Sequence, residues 1–120
     1  MSTRAVVNFY DGGPGKSKKY LKAKVYRHSD GYPEGLGKDL KEFLNLVKET
    51  VPDNRFNDAS YLAAKWVVHD ARQMSQDPVT HPLDFLSVGI MMEDPGDIEF
   101  IYDVVCTGDE MPKITHRKPR

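Results

Sequence analysis

The sequence predicts an α+β domain of two layers: a four-stranded antiparallel sheet in ββααββ order, with two helices on one face. Three observations lead there. Runs with period-two alternation lie towards both ends of the chain. Two runs with helical periodicity lie between them, and turns rich in Gly and Pro punctuate the rest. At 120 residues the chain fits one domain with one core. That domain is expected over residues 1–107, with 108–120 a basic, flexible tail.

The elements follow in order. Ala5 to Tyr10 is short, β-branched and aromatic, and reads as a strand. The segment from Asp11 to Ser17 is a turn by composition. From Tyr20 to His28 the chain alternates, with Leu21, Ala23 and Val25 on a core face and Tyr26, His28 and the lysines opposite. These two strands are expected to form a hairpin. The period changes at Leu36: Leu36, Leu40, Phe43, Leu44 and Val47 share a helical stripe, and Pro52 ends that helix. Asn57 or Asp58 can cap a second helix running to Met74, whose inner side carries Ala59, Leu62, Ala63, Trp66 and Val67. The small residues there invite close packing. Phe85 to Glu93 reads as a strand with Leu86, Val88, Ile90 and Met92 on one face. Asp94-Pro95-Gly96-Asp97 turns it, with Gly96 accepting positive φ, and Ile98 to Val105 returns as its hairpin partner. The sheet face away from the helices is expected to be partly open.

Charge excludes little. The net charge is −1, with 29% charged residues, so no global field points to nucleic acid or membrane. The single cysteine, Cys106, rules out an intramolecular disulfide. The first residues lack a signal-peptide run, and no stretch approaches the ~18 apolar residues of a membrane span. A cytoplasmic protein is expected, acting in host cytoplasm if an infecting element encodes it.

Chemistry concentrates between His28 and Leu40. A His, several carboxylates, a Tyr and three glycines leave a strand, turn and enter a helix. In His28-x-Asp30 the carboxylate could orient the imidazole, with Tyr32 or Glu34 completing a proton-transfer set. With His69, Asp70 or His81 the pair could ligate a metal. The plainer alternative is a structural turn, in which Asp30 accepts backbone N–H groups, Gly31 supplies positive φ and Pro33 stiffens the exit. Gly35 and Gly37 open the first helix, where free N–H groups attract anions, and Arg27, His28 and Lys38 lie nearby. Gly15-Lys16-Ser17 resembles the end of a phosphate loop. That pattern needs a Gly at the position of Tyr10 and a following helix, and has neither, so a hairpin turn is expected. His69 shares a stripe with Leu62 and Trp66 and reads as a packed histidine. Cys106 reads as a small core residue.

The run Tyr26-Arg27-His28-Ser29-Asp30-Gly31-Tyr32-Pro33-Glu34-Gly35-Leu36-Gly37, with Leu40 and Phe43-Leu44 after it, resembles a family of small uncharacterised prokaryotic and phage proteins. Their shared motif is a strand, H-x-D-G-Y-P and a helix. Asn57-Asp58-Ala59 with Leu62-Ala63-Ala64 is similar to a second block of that family, Asp58 standing where members tend to have Gly. Phe100-Ile101-Tyr102 is similar to its closing strand. The resemblance implies a common fold and a special turn, with a prokaryotic source, phage or mobile element included; it implies no activity.

These residues favour a binding or interaction protein using Arg27, His28, Asp30, Tyr32, Gly35, Gly37 and Lys38. The expected partner is a protein or a second copy, then an anionic small ligand, with nucleic acid less favoured and no membrane. No cofactor or metal is expected. One alternative is a hydrolase or phosphodiesterase-like enzyme with His28 and Asp30 as its acid–base pair. Another is a weak nucleic-acid binder using the tail, Lys22 and Lys24.

Overall fold

A computed structural model describes residues 3–12, 19–50, 57–74, 88–108 and 111–119. Its elements are β1 (Ala5–Asp11), β2 (Tyr20–Arg27), a π-helical turn (Pro33–Gly37), α1 (Lys38–Thr50), α2 (Ala59–Met74), β3 (Val88–Ile90), β4 (Phe100–Cys106) and β5 (Lys113–Arg117). The α+β class holds, but among the described residues the sheet is five-stranded and mixed, in the order β3-β2-β1-β4-β5.

β1 explains that order. Ala5, Val6, Val7, Asn8 and Phe9 are all buried, an unbroken run typical of a central strand covered on both faces. It pairs antiparallel with β2, as the expected hairpin requires, and parallel with β4. The expected β3–β4 hairpin does not form. β3 instead pairs with β2 at the far edge, and segment 91–99 carries the chain back to start β4 beside β1. The turn at Gly96 and Asp97 lies within that return, and Gly96 is not at positive φ. The strand expected over 85–93 is only Val88–Ile90 among the described residues, and Ile90 and Met92 are exposed, because from this edge strand only Val88 reaches the core; residues 85–87 lie outside the described residues.

Two further expectations change. Leu21 pairs with Tyr10 while Ala23 pairs with Phe9, so β2 carries an extra residue at Lys22. This bulge flips Leu21 off the core face, and it is exposed. In the stretch expected to be a tail, residues 113–117 form β5, antiparallel to β4. Ile114 packs on the core and Arg117 donates to Asp103, which anchors a segment whose composition reads as solvated.

Both helices pack on one sheet face. Leu36, Leu40, Phe43, Leu44 and Val47 meet Leu62, Ala63 and Trp66, and together they cover Val7, Phe9, Val25, Tyr102 and Val104. Asp58 caps α2 by accepting from Ser60 N–H at 3.1 Å, while Asp11 of β1 accepts from Ala59 N–H at 2.9 Å. The two caps fix where α2 starts over the sheet. His69 stacks within 5.4 Å of Phe43 and 5.9 Å of Trp66, the packed histidine its stripe predicts.

The face away from the helices is not open at its centre. Val6, Asn8, Lys24, Ile101 and Asp103 are buried there. Lys24 Nζ donates to Asn8 Oδ1 at 2.7 Å and to Asp94 in segment 91–99. Asn8 Nδ2 donates to Asp103 Oδ1 at 3.2 Å, and Arg117 Nε to Asp103 Oδ2 at 3.2 Å. This row joins β2, β1, β4 and β5. It pairs each buried charge and so limits the desolvation cost. Lys24 is therefore not available to a basic stripe with Lys22.

Candidate functional site

The His28–Lys38 turn is a backbone junction. Positive φ falls on Asp30 (φ 55°), not Gly31. Gly31 is small for another reason: a Cβ there would lie 2.7 Å from Ala5 Cβ and 2.9 Å from Thr3 O, the carbonyl to which its own N–H donates. Gly35 is equally constrained, since a Cβ would lie 2.5 Å from Asp30 O. The donors that could have faced an anion are engaged inside the protein. Gly35 N–H goes to Tyr32 O at 2.9 Å and Leu36 N–H to Asp30 O at 2.8 Å. The Tyr102 hydroxyl donates to Gly31 O at 2.6 Å, with its ring packed beside Gly37. Burial pushes the Tyr102 hydroxyl up to about 12, so it remains a donor at neutral pH.

The side chains divide into separate contacts. His28 is exposed, with Nδ1 2.8 Å from Tyr26 Oη. Asp30 accepts from Tyr32 Oη at 3.3 Å, and that carboxylate raises the exposed Tyr32 hydroxyl's pKa. The His28–Asp30 pair is thus replaced by Tyr26–His28 and Asp30–Tyr32. Arg27 turns inward. Its Nε donates to Ser29 O at 3.0 Å, and its Nη1 lies 2.9 Å from Asp39 Oδ2 and 3.4 Å from Asp70 Oδ1. Burial raises the Asp70 carboxyl above its ordinary value even though Arg27 pulls it down. Lys38 sits outside, 3.9 Å from Glu42. Among the described residues no cluster of three or more His, Cys, Asp or Glu could hold a metal ion; His81 lies outside them. Burial pushes the Cys106 thiol up to about 12, as suits a core residue.

Concavity appears beside this turn. A cleft of about 340 Å³ is lined by Pro33, Gly37, Lys41, Tyr102, Ile114, Thr115 and His116. A second, of about 370 Å³, is lined by Lys41, Leu44, Asn45, Lys48, Met111, Pro112 and Ile114. They share Lys41 and Ile114, so they form one groove between α1 and β5. The turn supplies one end of it, through Pro33 and Gly37. Lys41, Leu44, Asn45 and Lys48 recur at helical spacing on one face of α1, and Ile114 and His116 alternate on β5. Sequence reasoning missed this groove because β5 carries one apolar residue in a basic stretch. The signal was present in the alternation of Ile114 and His116 with Lys113, Thr115 and Arg117.

No family model matches this chain, and searches of curated proteins and of solved structures found no significant match.

Proposed function

We propose that this protein is a binding domain that captures its partner in the groove between α1 and β5, with the strand–turn–helix around His28–Lys38 setting one wall. The observation that carries this is the continuity of the two clefts alongside β5, the last strand of the sheet. A groove between a helix and an edge strand offers side-chain pockets next to backbone groups that a partner can use. The junction of Gly31, Gly35 and Tyr102 supports this reading, since it holds Pro33 and Gly37 against β4 and gives the groove a rigid end.

A display selection of random peptides against the whole protein tests it, with selected peptides mapped by amide chemical shifts. Enriched peptides are expected to move resonances of residues 41–48 and 111–117. Peptides that instead cluster at the outer face of α2, around Tyr61 and Val68, or at exposed His28, would overturn it.

A further inference from the structure

We infer that the groove's partner is an acidic extended peptide that adds to β5 as a sixth strand. This rests on the binding-domain reading above and specifies its ligand. Three observations converge. β5 is the edge of the sheet, and among the described residues no strand pairs with its outer side. An added strand would point alternate side chains to the two faces of the sheet. On the helix side they meet Lys41, Lys48 and His116; on the other side they meet Lys113, beside an Arg117 already paired with Asp103. Both faces of the incoming strand therefore find cations.

Among the described residues the charge on the helix side is uncompensated, and no carboxylate lines either cleft. Lys41 and Lys48 are exposed and form no ion pair among the described residues, whereas Lys38 on the same helix pairs with Glu42. The chain's net charge is only −1, so this patch is local rather than a global excess. A second copy fits less well. Antiparallel pairing of two β5 edges would set Lys113 near Arg117 of the other copy, and like charges across a ladder repel. Leu44, Met111 and Ile114 supply apolar floor between the lysines, so alternating acidic and apolar residues suit it best.

The test uses three labelled peptides of about six residues, enough to span β5. Val alternates with Glu, with Gln or with Lys, and binding to the full chain is followed by anisotropy and amide shifts. The Glu peptide is expected to bind about tenfold or more tighter than the Gln peptide at low salt, and that preference shrinks as salt rises. Both lysines are exposed, so a Lys41→Glu/Lys48→Glu variant keeps the fold, checked by circular dichroism, and is expected to reverse the preference towards the Lys peptide. Equal binding of Glu and Gln peptides with shifts in the groove would overturn the acidic partner while leaving the binding-domain reading intact. Shifts outside the groove, or none with any peptide, would overturn both. Tighter binding of a single-stranded oligonucleotide at the same residues would make the ligand a nucleic acid and overturn the inference.

Discussion

Tyr102→Phe removes one oxygen from the protein and tests how the turn is held. The residue is 1% exposed, and its hydroxyl donates to Gly31 O at 2.6 Å. Phenylalanine fills the same space but leaves the buried Gly31 carbonyl without this partner. An orphaned buried carbonyl costs about 1–3 kcal/mol, and that is the loss expected in urea unfolding with an unchanged m-value. A second signature comes from pH. The folded hydroxyl is raised from 10.0 to about 12. A raised pKa means its contribution is complete below the unfolded value and is lost as pH rises from about 10 through 12. Two units correspond to roughly 2–3 kcal/mol, so the stability gap between wild type and Tyr102→Phe should narrow by that order across this window. A loss under about 1 kcal/mol would refute the hydrogen bond to Gly31, and a gap that stays constant with pH would refute the hydroxyl's burial.

Other outcomes follow from the same geometry. Gly35→Ala places a Cβ 2.5 Å from a backbone oxygen and is expected to cost more than about 2 kcal/mol, while Gly96→Ala, with nothing within 4 Å, should stay within about 0.5 kcal/mol by the same unfolding assay. Asp30→Ala should destabilise by about 1 kcal/mol because Ala is strained at φ 55°, and Asp30→Gly should recover most of that. Asp70's folded pKa is raised, so wild type should gain stability relative to Asp70→Asn as pH falls through that folded value, measured by paired urea titrations; a gap unchanged with pH counts against its burial. Arg27→Ala leaves Asp70 without its cation and should cost about 3 kcal/mol or more. Native Cys106 should resist thiol reagents at pH 8 and react only after unfolding.

Local patterning made the helices legible. Leu40, Phe43, Leu44 and Val47 lie on the stripe their spacing indicates, and Asp58 caps α2. The β1–β2 hairpin was legible for the same reason, though not its bulge: nothing in the alternation from Tyr20 to His28 marks Lys22 as the extra residue. The parallel β1–β4 pairing is non-local, and the turn chemistry of Asp94-Pro95-Gly96-Asp97 pointed to a hairpin instead. The burial of every residue from Ala5 to Phe9, which marks β1 as a central strand, emerges only from the fold. At the turn, sequence located the right residues but misjudged their work. Glycines that looked like anion donors are small because Thr3, Ala5 and Asp30 approach closely, a tertiary contact that composition does not carry. Tyr102, which ties that junction to β4, lies far from it in sequence and was legible only as a strand residue.

Amide hydrogen exchange of β5 probes the groove most directly. With the Glu–Val peptide bound, the outward N–H groups among residues 113–117 should slow, because a sixth strand accepts their hydrogen bonds, and residues 88–90 at the opposite edge should not change. Peptide binding that leaves the β5 amides exchanging at their free rate would contradict strand addition. Protection at residues 88–90 instead would place the partner on the wrong edge.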